Sequence, residues 1–239
     1  MVTNTPIKGV LCAYDGTLIE RKGGVLVDRV RAVLAATGRT PDPAILGRWC
    51  HDFDGASHAH ASTDRAAYEQ WVIQQIYRLL GSLQITTRSH ASLGDAIAAI
   101  VDGAGQPFPE AFSGLRSLAE AGIVTAIVAN GGWDLSERAH AAGFTSDLVG
   151  STVSSARIGA RKPNARAYTV GLEALGLRAS QVCFVGDNWG HDVLAPLAFG
   201  MKAIHIWRPD VYPGSGPPPG RPGVARVADL NEAVDQIVA

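Results

Sequence analysis

Three carboxylates and a lysine stand where apolar segments of this chain end or where a helix can begin. Asp15 follows an apolar run near the N-terminus, and Asp187 follows a second buried-type run, with Asp192 five residues further on. Lys162 precedes a proline, which suits the first turn of a helix. Carboxylate oxygens are the hard ligands that Mg²⁺ prefers. These residue types make a magnesium-assisted reaction a candidate.

The elements that must position these residues change type along the chain. One short strand beginning at Val10 precedes a block with helical patterning only, and from residue 107 onward helices and strands alternate. Such alternation is typical of βαβ units, which build a parallel sheet with helices on both faces. The sequence predicts helices at 28–37, 43–51, 63–80, 93–101, 110–121, 133–142, 163–175, 191–199 and 229–238, and further strands at 123–129, 148–153, 181–185 and 202–207.

The predicted fold class is therefore α/β, with a Rossmann-like parallel sheet as its core and an inserted helical cap domain. Residues 1–18 and 104–239 form the predicted core domain, and residues 19–103 form the predicted cap. An insertion after the first strand lies at the carboxyl ends of the strands, where the binding loops of open α/β sheets gather. The helical block is thus placed to act as a lid over a site.

Composition narrows the classes of partner. The chain has 239 residues, of which 46% are hydrophobic, and its formal net charge is −1. This charge gives no field that would attract nucleic acid or an anionic membrane, and no window approaches the roughly 18 apolar residues of a membrane span. Three cysteines cannot all pair. We expect a cytoplasmic monomer or homodimer that binds a small molecule, without nucleic-acid or membrane partners.

Four sequence blocks resemble, in order and approximate spacing, the motifs of the haloacid dehalogenase (HAD) superfamily. They are Ala13-Tyr14-Asp15-Gly16-Thr17, Ala129-Asn130-Gly131-Gly132, Lys162-Pro163, and Gly186-Asp187 followed by Asp192. The resemblance covers nearly the whole chain. The helical insertion after the first motif is similar to the C1-type cap of 2-haloacid dehalogenases and of small phosphatases such as phosphoglycolate phosphatase.

The first motif departs from the family at its most reactive position. In the family's phosphatases the first aspartate attacks phosphorus, and the second, two residues on and on the same side of the strand, protonates the leaving oxygen. Ala13 occupies the nucleophile position, whereas Asp15 matches the second role. Cys12 and Tyr14 point to the opposite side of the strand and are not substitutes. Dehalogenases typically lack the second aspartate, so Asp15 favours phosphate chemistry.

The resemblance also implies a phosphate site and a magnesium site. The phosphate would be held by Asn130, Gly131 and Lys162, with Ala129 where the family usually has a hydroxyl residue. The metal set would be Asp187, Asp15 and Asp192, with Asp192 acting from further out or orienting Lys162. Magnesium is expected, although the absence of a carboxylate at position 13 removes one ligand.

Several aromatic and polar residues are weaker candidates. Trp133, Asn188 and Trp189 each follow a motif loop and are expected near the substrate pocket. Other aromatic residues of the cap either line the lid or form its core, and the second is the commoner role; these are Trp49, Tyr68 and Trp71. A histidine and aspartate cluster of the cap reads as a polar loop rather than a zinc site; its members are His51, Asp52, Asp54, His58 and His60.

Three functions from different classes remain open. The first is a HAD-like, magnesium-dependent phosphatase of a small metabolite, in an inactive or substrate-trapping form because its nucleophile is missing. The second is a natural pseudoenzyme that binds a phosphorylated ligand or a protein, which the second departure at Ala129 favours. The third is an enzyme that uses Asp15 or a cap histidine as acid or base in a dehydration, cyclisation or isomerisation.

Overall fold

The centre of the protein is a parallel six-stranded sheet. In the computed structural model, the described residues are 5–20, 26–36, 40–85, 105–209 and 216–239. The strands, in the spatial order β3-β2-β1-β4-β5-β6, all run parallel. Their bounds are Gly9–Cys12 (β1), Val124–Ala129 (β2), Ser151–Ser154 (β3), Val182–Gly186 (β4), Lys202–Ile206 (β5) and Ala225–Val227 (β6). This arrangement confirms the predicted Rossmann-like α/β class.

The strand order places β1 at the switch point of the sheet. The chain leaves β1 to build β2 and β3 on one side and then returns to add β4, β5 and β6 on the other. In open α/β sheets the loops at such a point separate and leave a crevice for a ligand. The loop after β1, which carries Ala13 and Asp15, opens into that crevice.

Helices cover both faces of the sheet and build the cap. The α-helices are Leu26–Ala36 (α1), Pro43–Phe53 (α2), Arg65–Ser82 (α3), Pro109–Glu120 (α4), Leu135–Ala141 (α5), Ser155–Ile158 (α6), Ala165–Leu175 (α7), Ala195–Ala198 (α8) and Leu230–Val238 (α9). Short 3₁₀ segments span Ala59–Ala61 and Ala179–Gln181, and a π-helical turn spans Trp189–Leu194. No described helix combines the length and apolar character needed to cross a membrane.

Side chains of β1 alternate between the two faces of the sheet. Val10 and Cys12 pack with α4 and α9 in one core cluster. Leu11 and Ala13 pack with α7 in a second cluster on the opposite face. Tyr14 belongs to the first cluster again. The two-residue period of a strand produces this pattern, which confirms that Cys12 and Tyr14 point away from the side on which Ala13 lies.

The cap has a core of its own, built from α1, α2 and α3. Its large buried side chains are Val30, Leu34, Leu46, Phe53, Tyr68, Trp71, Val72, Ile76, Leu79 and Leu80. Trp49 stacks on Phe53 with ring centroids 5.2 Å apart, and Phe53 stacks on Trp71 at 5.4 Å. Tyr68 and Trp71 are buried in this cluster and Trp49 packs against it, which confirms the core interpretation of these aromatic residues. Burying one large apolar side chain stabilises the fold by about 1.5–3 kcal/mol.

Several predicted boundaries are wrong by a few residues because capping decides where a helix begins. Asp64 accepts from the Ala67 amide and starts α3 at Arg65, and Asn164 accepts from the Arg166 amide and starts α7 at Ala165. The strand predicted at 148–153 begins only at Ser151, after a turn. The helix predicted at 191–199 is a π-helical turn followed by α8. The helix predicted at 93–101 lies outside the described residues, and the domain boundaries stay a prediction.

Candidate active site

The loop after β1 brings the first and fourth motifs into contact. Ala13 extends the sheet by donating its amide to the Val185 carbonyl at 2.9 Å, and it is only 3% exposed. Gly16 then turns with φ +79°, and a Cβ added there would lie 2.2 Å from Asp187 Oδ2. The carboxylate of Asp187 thus rests directly on the backbone that follows Asp15. Only a residue without a side chain permits this approach.

The two side chains next to Ala13 in sequence, those of Cys12 and Tyr14, are not reactive nucleophiles. Cys12 is fully buried on the other face of the sheet, and this burial raises the pKa of its thiol far above the usual range. Burial also raises the pKa of Tyr14 to about 12. A thiol or phenol attacks as its anion, so neither group is reactive near neutral pH. Position 13 itself carries only a methyl group, and its assignment as the nucleophile position stays a prediction.

Lys162 and Asp192 form the strongest charge pair of the site. Lys162 Nζ lies 2.6 Å from Asp192 Oδ1, and both residues are buried. The second carboxylate oxygen of Asp192 accepts from the Asn188 amide at 3.0 Å. Of the two roles predicted for Asp192, this contact fits the one in which it orients Lys162, and its role toward a metal stays a prediction. Both of its oxygens are engaged by these two contacts.

Asn130 holds the backbone of Lys162 from the neighbouring strand. Its side-chain oxygen accepts from the Lys162 amide at 2.6 Å, and its side-chain nitrogen donates to the Lys162 carbonyl at 2.9 Å. This double contact fixes the loop before α7 against the end of β2. It is a positioning role that the sequence does not reveal, and the phosphate contact predicted for Asn130 stays a prediction.

Ser154, at the end of β3, organises the glycine loop of the second motif. Its hydroxyl lies 2.6 Å from the Gly132 carbonyl and 3.1 Å from the Gly131 carbonyl, and the Ser155 hydroxyl lies 3.2 Å from the Gly131 carbonyl. Both serines are buried. Sequence reasoning missed them, although a serine pair that ends a strand and begins a helix is a signal for such contacts.

His205, on β5, forms a hydrogen bond to the backbone of Asp187. Arg226 Nε donates to His205 Nδ1 at 3.2 Å, so the ring proton lies on Nε2, which donates to the Asp187 carbonyl at 3.0 Å. Burial lowers the pKa of His205 and keeps the ring neutral. This histidine positions the Asp187 backbone and was missed because it sits inside an ordinary apolar strand.

The cap reaches the core site through one carboxylate, that of Asp54 at the end of α2. Asp54 Oδ1 lies 3.4 Å from Asn130 Nδ2 and 3.4 Å from Arg161 Nη2, and its Oδ2 lies 3.8 Å from His191 Nε2. Burial is the main cause that lowers the pKa of His191. The Arg161 guanidinium also lies over the Phe53 ring, 4.0 Å from its centroid. Two cap residues, Phe53 and Asp54, thus contact Arg161, the residue before Lys162.

Backbone pairing fixes this part of the cap on the loop that carries Lys162. The Gly55 amide donates to the Lys162 carbonyl at 3.0 Å, and the Arg161 amide donates to the Ala56 carbonyl at 3.0 Å. The His58 amide donates to the Gly159 carbonyl at 2.7 Å. These bonds form a short ladder between cap and core, so the position of this part of the cap is tied directly to the loop that carries Lys162.

The residues predicted to line the substrate pocket make packing and capping contacts. The Trp189 ring packs edge-on against His205, with centroids 5.1 Å apart, and Asn188 caps the π-helical turn by accepting from the His191 amide. Trp133 packs against the cap core and lies under the Arg157 guanidinium at 5.1 Å. These contacts leave the pocket role of all three residues as a prediction without structural support.

The cap histidines lie in different environments. His58 is fully buried, and its ring stacks on Trp71 with centroids 4.3 Å apart. His51 and His60 are exposed. Within the described ranges no three histidine, cysteine, aspartate or glutamate side chains are grouped so as to hold a metal ion. The burial of His58 also removes support for its use as an acid or base.

The acidic residues fit magnesium only in part. Asp192 is engaged by Lys162, which leaves Asp15 and Asp187 beside the turn at Gly16. Proteins often hold Mg²⁺ by one or two carboxylates together with waters and a ligand phosphate. Asp15 and Asp187 therefore suit an ion that arrives with a phosphorylated ligand, and magnesium stays a prediction.

Comparison with known proteins decides the family. The model of the haloacid dehalogenase-like hydrolases matches residues 7–200. The chain belongs to this family. As a HAD-like hydrolase it has the fold of an L-2-haloacid dehalogenase from Xanthobacter autotrophicus, with a TM-score of 0.61, 21% identity, and coverage of 97% of this chain and 98% of that one. A HAD phosphatase from Thermococcus onnurineus shares the fold too, with a TM-score of 0.57, 18% identity, and coverage of 97% and 98%.

The curated relatives of this HAD-like hydrolase are dehalogenases. (S)-2-haloacid dehalogenase 1 from Pseudomonas sp. (strain CBS-3) is 34% identical over 102 residues, which are 42% of this chain and 44% of the relative. Haloacetate dehalogenase H-2 from Moraxella sp. (strain B) is 37% identical over 109 residues, 43% of this chain and 46% of the relative. The matches span less than half of these relatives. They support the hydrolase family and the dehalogenase-like subfamily, and they give no support to the predicted phosphatase activity.

Proposed function

We propose that this HAD-like protein binds a small phosphorylated metabolite at the loops after β1, β2 and β4 and at the loop before α7, and that it forms no covalent intermediate. The observation that carries this proposal is Ala13. Its methyl group ends the central strand at the switch point, inside a site where Asp15, Lys162, Asp187 and Asp192 are all retained. Loss of a nucleophile removes the covalent route and leaves the binding groups in place.

The retained acids favour a phosphate over a haloacid as the ligand. Asp15 is the residue that would protonate a leaving oxygen, a step that release of a halide does not need. Asp187 and Asp15 would hold magnesium, which supplies positive charge toward a phosphate when bound. Lys162, oriented by Asp192, would donate hydrogen bonds to the phosphate oxygens. A haloacid is the competing ligand, because the curated relatives are named as haloacid or haloacetate dehalogenases.

Restoring the nucleophile tests the proposal. The Ala13→Asp variant should hydrolyse p-nitrophenyl phosphate with Mg²⁺ at least about 10³-fold faster than the unaltered protein, because a nucleophile contributes several orders of magnitude. Ala13→Asn is the matched control, since it has the same shape and cannot attack. Mass spectrometry of the Ala13→Asp variant should detect the phosphorylated protein during turnover.

Three outcomes would count against this function. Hydrolysis by the unaltered protein at the rate of the variant would show that Ala13 is not the missing nucleophile position. A folded Ala13→Asp variant without activity would contradict the retained site. Release of chloride from 2-chloropropionate by Ala13→Asp, without release of phosphate from aryl phosphates, would replace the phosphorylated ligand by a haloacid.

Binding by the unaltered protein provides the second test. Titration calorimetry with inorganic phosphate should show binding that Lys162→Met weakens at least about tenfold, since the ammonium is the charged donor of the site. Lys8→Met, at an exposed lysine, is the control for loss of one positive charge. Equal affinities of the two variants would contradict the assignment of Lys162 to the phosphate.

A further inference from the structure

We infer that Asn130, Arg161 and His191 form an anion subsite, that the carboxylate of Asp54 occupies it in the free protein, and that an oxyanion group of the ligand replaces Asp54 there. This inference rests on the proposed function in one respect, since it takes the ligand to be a small anion. It goes further by placing a second anionic group at the boundary between cap and core.

The Arg161 guanidinium lacks the partners that a buried cation normally has. The residue is 3% exposed, and its Nε and Nη1 have no hydrogen-bond partner within the described residues. Buried polar groups are hydrogen-bonded in the great majority of cases, and a group left unpaired calls for an explanation such as an absent ligand. A carboxylate or phosphate binds two guanidinium N–H groups at once and would satisfy this side chain.

Asp54 fills the subsite poorly. Its closest contacts to Asn130 Nδ2 and Arg161 Nη2 are both 3.4 Å, and its distance to His191 Nε2 is 3.8 Å. Hydrogen bonds between a charged nitrogen donor and a carboxylate are about 2.7–2.9 Å when the geometry is good. Donors from three separate core loops thus surround a carboxylate that reaches none of them closely. An anion free to move can approach all three.

The backbone of Asp54 can stay in place while its side chain leaves. The Asp54 amide donates to the Cys50 carbonyl at 3.0 Å, and the next residue, Gly55, is bonded to the Lys162 carbonyl. Rotation about the side-chain torsions of Asp54 therefore frees the subsite without opening the ladder between cap and core. The carboxylate is 29% exposed, so solvent already reaches this side of the subsite.

The side chains of Arg161 and Lys162 extend in different directions, although the two residues are neighbours in sequence. Lys162 extends toward Asp192 under the strand ends, whereas Arg161 extends toward Phe53 and Asp54 of the cap. Adjacent residues of an extended segment point to opposite sides. The ligand class that fits has two oxyanion groups, a phosphate at Lys162 and a second phosphate or carboxylate at Arg161.

The test measures how Asp54 competes with an added anion. Asp54→Asn keeps the size of the side chain and removes its charge, so the dissociation constant for inorganic phosphate, measured by titration calorimetry, should fall at least about tenfold. Asp52→Asn removes the same charge from an exposed residue of α2, two positions before Asp54, and should change the constant less than twofold. Equal gains in both variants would mean a general charge effect and would overturn the inference.

A second variant links the gain to Arg161. Addition of Arg161→Met to Asp54→Asn should abolish the gain in affinity, while addition of Lys162→Met should leave a phosphate-binding event at the Arg161 subsite. Persistence of the full gain without Arg161 would overturn the subsite. Thermal melting of each variant identifies any that fail to fold, and Arg161→Lys is then the replacement that keeps the charge and loses the two-point contact.

Further measurements distinguish a carboxylate from a phosphate as the second oxyanion group. They also distinguish failure of the subsite from failure of the proposed function. If the subsite accepts a carboxylate, malonate, a dicarboxylate, should bind Asp54→Asn more tightly than it binds the unaltered protein. If the subsite requires a phosphate, only the affinity for phosphate should rise in Asp54→Asn. A gain that depends on Arg161, together with an inactive Ala13→Asp variant, would support the subsite while contradicting the phosphatase-type site. An unchanged phosphate affinity in Asp54→Asn, together with an active Ala13→Asp variant, would contradict the subsite and support the proposed function.

Discussion

Lys162 Nζ lies 2.6 Å from Asp192 Oδ1, and the two residues are 4% and 1% exposed. The pair joins the loop before α7 to the π-helical turn after β4, so two motifs far apart in the chain depend on each other. Lys162 Nζ also lies 5.0 Å from the Phe184 ring centroid, which adds a favourable contact for the ammonium. The orientation of the lysine toward the strand ends follows from this pairing.

Asp192→Asn should destabilise the protein strongly. Removal of one partner of a buried ion pair leaves the other charge uncompensated and costs about 3–5 kcal/mol in the free energy of unfolding. Urea denaturation followed by circular dichroism measures the change. The double variant Lys162→Met/Asp192→Asn should recover part of the loss, and Asp235→Asn, at an exposed aspartate, should change stability by less than about 0.5 kcal/mol. A loss of under 1 kcal/mol in Asp192→Asn would contradict a buried pair.

Gly16→Ala should lower stability more than the same change at another left-handed glycine. Gly16 has φ +79°, and the new Cβ would lie 2.2 Å from Asp187 Oδ2. Gly122 has φ +72° with no atom within 4 Å, so Gly122→Ala reports the backbone strain alone, about 1–3 kcal/mol. The difference between the two variants in urea denaturation measures the close approach of Asp187. Equal losses would show that Asp187 can move aside freely.

His58 should make the protein less stable at acid pH. Burial lowers its pKa from 6.5 to about 4. Above pH 6.5 the ring is neutral in both states, and as the pH falls toward 4 the unfolded chain binds a proton that the folded protein does not. Stability is therefore lost through this window, by up to about 3 kcal/mol.

The variant His58→Phe tests this pH dependence because it keeps the stacking on Trp71 and cannot titrate. Its free energy of unfolding should fall less than that of the unaltered protein between pH 6.5 and 4. His191 and His205 also have lowered pKa values, so the difference between the two proteins isolates His58. His60→Phe, at an exposed site, is the control. Parallel pH curves for His58→Phe and the unaltered protein would mean that His58 is not held neutral.

Ser154→Ala should weaken the glycine loop of the second motif. Its hydroxyl is the buried donor between the Gly131 and Gly132 carbonyls, and loss of such a donor costs about 1–3 kcal/mol. Thermal or urea unfolding measures the loss, with Ser117→Ala at an exposed serine of α4 as the control. Phosphate affinity should fall as well if the loop forms part of the cradle. Unchanged stability would show that Ser155 suffices alone.

The architecture could be predicted because it follows from local patterns. Alternating helix and strand signals after residue 107 predict the parallel sheet, and the two-residue period of β1 predicts that Cys12 and Ala13 face opposite sides. The order of four short motifs is enough to indicate the family. Boundaries such as the start of β3 were wrong, since a hydrogen-bonded turn at 145–149 and the Gly150 amide, which donates to the Thr125 carbonyl, precede the strand.

The arrangement of the site depended on contacts that no local pattern encodes. The sequence predicts that Asn130 binds phosphate, and the structure shows its side-chain amide hydrogen-bonded to the Lys162 backbone. The sequence places Asp54 in a polar loop, and the structure shows its carboxylate 3.4 Å from Arg161 Nη2. His205 carries no signal of its own in the sequence, and the pair Ser154-Ser155 indicates local contacts without indicating which carbonyls it meets. Each acquires its role from a partner on another element, and pairing between distant residues is determined only when the elements pack.

The sequence by itself determined that the chain is an α/β protein, that carboxylates follow its first and fourth strands, and that position 13 carries a methyl group. Residue type and strand period suffice for these conclusions, because both are local. Only the tertiary structure decided that Asp192 orients Lys162 and that a cap carboxylate sits among Asn130, Arg161 and His191. Those relationships exist because packing brings separate loops within a few ångströms, where burial strengthens charge interactions and leaves unpaired donors costly.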